Sequence, residues 1–243
     1  MAAAEIRKKI ILEKISEEIV KKGTITKVSL KRALSYNDSE FEEAFDLGVL
    51  NLTIDVRKHN YLGIKNPYSV KEEDYYECIE GMLQGLFDRS VGKNGNFFIE
   101  RTARRESKIA GRWTRPDFTI ISNRKFPYIK EAEFDIFTFE VKRPADCDTL
   151  AVFEALAHST VATRSFVFFP ITEADFNKST QAGRIKEECG RHGVGLILVT
   201  NGARLDECRI LIDSQRRSLN PEKSSNFLQS VLDKSSLAEL ARW

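Results

Sequence analysis

The sequence lacks the residues that would make it a metal finger, a disulfide scaffold or a membrane protein. Its four cysteines, Cys78, Cys147, Cys189 and Cys208, are scattered with no CxxC pair, and none of its three histidines stands at zinc-ligand spacing. The pattern predicts reduced thiols in a cytoplasmic protein. No apolar run approaches the ~18 residues of a membrane span. The basic start offers only Ile10-Ile11-Leu12 before Glu13 interrupts it, so neither a signal peptide nor a membrane partner is expected. Also missing are a Gly-rich phosphate loop, a GxSxG elbow and an HExxH pair, which removes the commonest nucleotide-binding, serine-hydrolase and zinc-protease readings. A net charge of +2 is too small to argue for nucleic acid, so any such case rests on local clustering.

What is present divides the chain at the proline-containing stretch 65–70. Ile6, Ile10, Ile15 and Ile19 recur at helical spacing up to Gly23. A short helix follows from Ser29 to Leu34. Ser39 with Glu42 reads as the capping box of a third helix, ending near Leu47-Gly48. Residues 49–64 alternate as a hairpin around Arg57–Asn60. Three helices and a hairpin over 1–66 resemble a winged-helix domain, although Glu40, Glu42, Glu43 and Asp46 on the third helix would repel phosphates. Such a module serves either DNA binding, with Arg57-Lys58-His59 as its best contact, or protein contact.

From 67 to 243 the periodicity gives a helix, three strands, a helix, a strand, a helix and a strand, with one more strand at an edge. This order predicts an α/β (α+β) fold with a mixed central sheet flanked by helices. On the helix after the third strand, Leu150, Phe153, Leu156, Ala157 and Val161 form the expected buried face. The tail, about 214–243, reads as amphipathic helices that dock on the body or on a second copy, so a homodimer through these helices or through the N-terminal domain is a candidate assembly.

The chemistry concentrates between Arg115 and Arg143. Pro116-Asp117 opens one strand and Glu140-Val141-Lys142 closes the next, so Glu140 and Lys142 leave the same face about 7 Å apart along the chain. If the two strands pair, Asp117 approaches Glu140, and two adjacent carboxylates call for a cation. Hard oxygen ligands suit Mg²⁺ or Mn²⁺, with the Val141 carbonyl as a further donor.

These residues, together with the element order, resemble the PD-(D/E)XK superfamily of restriction-endonuclease-like nucleases over residues 70–200. The resemblance implies a restriction-endonuclease-like core in which Asp117 and Glu140 bind the metal and Lys142 acts on the attacking water. It implies Mg²⁺-dependent hydrolysis of DNA phosphodiester bonds, in a setting such as restriction or anti-phage defence. It also implies an acidic residue from the preceding helix, for which Glu80 is the candidate and Glu100 a weaker rival, and a polar residue from the following helix. Glu154 and His158 stand there, and a helix-surface pair explains both without catalysis. The basic segment Arg101–Arg115 leads into Asp117, so Arg104, Arg105, Lys108, Arg112 and Arg115 are candidate phosphate contacts. Two alternatives stand beside this reading: a non-catalytic DNA-binding or scaffold protein with a degenerate nuclease fold, and a metal-dependent nuclease acting on RNA.

Overall fold

The computed structural model describes residues 2–65, 70–91, 95–103, 115–200, 205 and 207–243. The chain forms two compact units, Met1–Tyr75 and Tyr76–Trp243.

In the first unit α1 (Ala2–Lys22) ends at Gly23, whose φ of +67° is a conformation that glycine adopts without strain. Thr26 caps α2 (Lys27–Leu34). Helix α3 (Asp38–Leu50) starts earlier than the capping-box reading places it: the Asn37 side chain accepts from the Ser39 N–H at 2.9 Å, and the Ser39 hydroxyl turns to Glu43 instead. Asn37 is a better cap than an interior Ser, so the box does not form. β1 (Ile54–Val56) and β2 (Leu62–Ile64) pair antiparallel across a tip where His59 and Asn60 both take positive φ. Ile11, Leu12, Ile15, Leu30, Phe41 and Phe45 are among the side chains that close this unit's core. The 3-10 turn Glu72–Tyr75 belongs to the unit, because Asp74 binds Lys9 and the Val70 N–H reaches Glu13, so the division falls at 75/76 and not at 66/67.

The second unit is a six-stranded mixed sheet with strands in sequence order. These are β3 (Gly95–Arg101), β4 (Phe118–Arg124), β5 (Glu133–Val141), β6 (Arg164–Thr172), β7 (Gly195–Val199) and β8 (Cys208–Ile212). The first three run as an antiparallel meander, β5, β6 and β7 are parallel, and β8 returns antiparallel. One face lies under α4 (Tyr76–Ser90), whose Phe87 ring packs on Phe97, Phe137 and Phe139. The other face carries α5 (Thr149–His158), the single-turn α6 (Glu173–Phe176) and α7 (Ala182–His192), with Val152, Ala155 and Ile185 against Val167, Leu196 and Leu198. Gly195 pairs with Phe166, and a Cβ there would sit 2.1 Å from that ring, so only glycine lets the two strands pack at this point.

Helix α8 (Pro221–Val231) lays Phe227, Leu228 and Val231 on Ile121 and Ile136, and Leu237 and Leu240 of α9 (Lys234–Leu240) join the same cluster. The tail's apolar face is thus covered by the chain's own sheet. Among the described residues no helix is long and apolar enough to cross a membrane.

The buried face of α5 differs from the expected one. Leu150 is 48% exposed and Phe153 37%, while Ala151, Val152, Ala155 and His158 are buried. Leu156 still packs against the core, so the helix is rotated and not reversed: Ala151, Val152 and Ala155 lie on the sheet, and Leu150 and Phe153 turn outward.

Candidate active site

Because β4 and β5 are antiparallel with Phe118 opposite Phe139, the residue before β4 falls beside the residue after Phe139. Asp117 and Glu140 therefore meet at one end of the sheet, each only 8% exposed. The Asp117 backbone is fixed on both sides: its N–H donates to the Phe139 carbonyl at 2.9 Å, and its carbonyl accepts from Thr102 N–H at 2.8 Å. The Thr102 hydroxyl donates to the Pro116 carbonyl at 2.6 Å, so the Pro-Asp dipeptide is held by β3 as well.

The Asp117 carboxylate is held from two directions. Its Oδ2 accepts from the Val141 N–H at 2.7 Å, and its Oδ1 accepts from the Tyr76 hydroxyl at the start of α4. Val141 thus enters the site through its backbone, while its side chain is fully buried. Lys142 places Nζ 2.7 Å from Glu140 Oε1 and 2.9 Å from Glu154 Oε2. Its backbone N–H bonds the Phe168 carbonyl of β6, which anchors the strand end. Glu154 reaches the cluster because Asp148 caps α5, accepting from the N–H groups of Leu150 and Ala151.

Three carboxylates against one ammonium, largely out of water, leave an excess of negative charge. Burial first, and the Asp117 charge second, push the Glu140 carboxyl up to about 9, against the pull of Lys142. Asp117 and Glu140 are the side chains that could offer oxygen ligands to a divalent cation, whose charge would offset this excess. Among the described residues no three His, Cys, Asp or Glu side chains are grouped to hold a metal ion. The Lys142 ammonium lies between Glu140 and Glu154, and a hard cation that takes one or two carboxylates completes its shell with water and phosphate oxygens.

The other candidates fall elsewhere. Glu80 bonds the Arg101 guanidinium at the end of β3, two strands from the β5 that carries Glu140, and is half-exposed. Tyr76, one turn earlier, is the α4 side chain that arrives at Asp117. Glu100 is buried but accepts from the Asp233 N–H at 3.1 Å, which ties down the N-terminus of α9. His158 is 2% exposed at the end of α5, so Glu154 and His158 do not form a surface pair. Arg115 is half-buried immediately before Pro116, and Arg104, Arg105, Lys108 and Arg112 lie outside the described residues. Sequence reasoning missed Tyr76 and the bond from Glu154 to Lys142. The available signal was spacing: Tyr76 precedes Glu80 by four residues on the same helix face, and Glu154 lies six residues, nearly two turns, after the Asp148 cap.

Fold and site together define a mixed α/β protein with a buried carboxylate–ammonium cluster at the end of its central sheet. No family model matches the chain, and no curated protein does. Among solved structures it is similar to the SPO1766 protein of unknown function from Silicibacter pomeroyi, at 16% identity over 66% of this chain and 86% of that one, with a TM-score of 0.35. That likeness is too distant to bear on activity.

Proposed function

We propose that the protein is a Mg²⁺- or Mn²⁺-dependent endonuclease that hydrolyses DNA phosphodiester bonds. One observation carries the reading: Asp117 and Glu140, from neighbouring strands, are buried side by side with the Lys142 ammonium 2.7 Å from Glu140. On this reading Asp117 and Glu140 would hold the metal, which would supply a water of lowered pKa and offset charge on the phosphate. Lys142 contributes a fixed positive charge that orients the attacking water and stabilises the developing phosphate charge. Tyr76 and the Val141 N–H keep Asp117 in one orientation, and Glu154, which bonds Glu140 as well, holds the Lys142 ammonium beside it. Arg115 and the basic segment before it serve as phosphate contacts, and restriction or defence against foreign DNA is the setting this chemistry suits.

The test is cleavage of supercoiled plasmid DNA and of single-stranded RNA by purified wild type, Asp117→Asn and Lys142→Ala, each with Mg²⁺, with Mn²⁺ and with EDTA. The expected result is metal-dependent nicking of DNA by the wild type alone. Cleavage of RNA and not DNA would move the substrate. Binding of DNA without cleavage of either under any metal would leave a scaffold with a degenerate site and end the nuclease reading.

A further inference from the structure

A cavity of about 170 Å³ lies between α4 and the sheet, on the face away from Glu140 and toward the opposite strand ends. Phe87, Phe137, Phe139 and Phe166 form its apolar wall, and Arg124 and Arg164, at the end of β4 and the start of β6, join its lining. The rings are mostly buried, whereas the two guanidinium side chains are 27% and 21% exposed, so the lining grades from aromatic floor to cationic mouth. The volume suits one six-membered ring, since an apolar cavity of about 150 Å³ holds benzene.

The mouth favours an anion. Arg164 bonds the Ser214 carbonyl at 2.7 Å and the Asp213 carboxylate at 3.5 Å through a single nitrogen, Nη1. Among the described residues its other two nitrogens have no protein acceptor. Asp213, the acidic residue of the lining, has a side chain 69% exposed; its Oδ1 accepts from the Ser214 N–H at 2.8 Å, while its bond to Arg164 is long, so a carboxylate on Arg164 competes with the weaker of its two contacts. Arg124 keeps one nitrogen on Glu133, which Arg216 also approaches at 3.6 Å. The acids Glu133 and Asp213 balance the two guanidiniums in charge, so what the mouth offers an anion is donors: two nitrogens of Arg164 and the buried Arg124 Nε have no acceptor among the described residues.

We propose that this cavity binds a single-ring aromatic carboxylate, with the ring among Phe87, Phe137 and Phe166 and the carboxylate on Arg164 and Arg124. Helix α4 carries Phe87 in the cavity wall and Tyr76 on Asp117, so pocket and acidic cluster share one element. The binding claim stands independently of the nuclease reading.

The test uses benzoate, benzyl alcohol, benzylammonium and acetate as probes, with ligand-observed saturation-transfer NMR and thermal melting of the full chain. Benzoate is expected to bind and raise the melting midpoint, at least about tenfold tighter than benzylammonium, with no effect from acetate. Arg164→Met should reduce benzoate to the level of benzyl alcohol and leave benzyl alcohol unchanged, which also shows the cavity intact. Ile210→Trp, on the half-exposed edge strand that lines the cavity, should abolish both. The proposal is overturned if benzoate fails to bind the wild type at about 10 mM, if benzylammonium binds as well as benzoate, or if neither substitution changes benzoate binding.

Discussion

Replacing Glu140 by Gln should stabilise the metal-free protein while abolishing its proposed activity. The Glu140 carboxyl is held near 9, against about 4.5 for an unburied one, so the folded state keeps a proton that the unfolded chain gives up. A raised carboxyl pKa contributes stability that is fully present below the unfolded value and is lost as pH rises toward the folded one. At pH 7 the penalty relative to a neutral group is at most about 3–4 kcal/mol, since a tenfold change in a carboxyl's proton affinity is worth about 1.4 kcal/mol. Glutamine is the neutral isostere of the protonated acid: it still accepts from Lys142, and its amide donates to Glu154. Urea denaturation in EDTA should show Glu140→Gln more stable than wild type by about 2–3 kcal/mol at pH 7, by under about 1 kcal/mol near pH 5, and by more at pH 8.5. Added Mg²⁺ should narrow the gap, because the cation takes over the role of the proton in the wild type alone. A Glu140→Gln protein less stable than wild type in EDTA, or a gap that does not change with pH, would refute the reasoning.

Three other outcomes follow from the geometry. Tyr76→Phe removes a buried hydrogen bond to a carboxylate, so urea melts should lose about 1.5–3 kcal/mol and half-saturation of cleavage by Mg²⁺ should rise several-fold; an unchanged metal dependence would separate Tyr76 from Asp117. Glu80→Ala should cost under about 1 kcal/mol and leave cleavage near wild type, since its bond to Arg101 is largely solvent-exposed; complete loss of activity would return Glu80 to the site. Burial pushes the Cys147, Cys189 and Cys208 thiols up to about 12, so at pH 8 a disulfide reagent should modify them slowly in the folded protein and rapidly in urea, with mass spectrometry locating the adducts.

The sheet was legible because its signals are local. Each strand announces itself by an apolar run, and the antiparallel pairing of β4 with β5 follows from a connection too short for a crossover helix, which puts Asp117 beside Glu140. The α5 face was not legible, because Leu150 and Phe153 outweigh Ala151 and Ala155 in hydrophobicity, yet Ala151 and Ala155 are the residues that lie on the sheet. That rotation of the helix is also what brings Glu154 to Lys142. Tyr76 was hidden for a different reason: a tyrosine beside an apolar stripe reads as core, and its buried ring does pack on Phe118, but its hydroxyl extends past that ring to the carboxylate.

The acids of α3 carry the same lesson into the first unit. Glu40, Glu42 and Glu43 read as a face that would repel phosphates, but Glu40 binds Arg7, Glu43 binds Lys8, and Glu42 binds Lys27 and Lys31. The charges are engaged within the unit, where each exposed pair is weak because water screens it, and together they link α3 to α1 and α2. A helix surface tied down by its neighbours' lysines neither repels a polyanion strongly nor offers those lysines to it. Arg57 is turned back to Asp55, so Lys58 and His59 at the exposed hairpin tip are what remain. If this unit touches nucleic acid, it does so through two side chains on a strained turn. Its share of any affinity is then small, and the proposed nuclease would grip its substrate through the unit that carries Asp117.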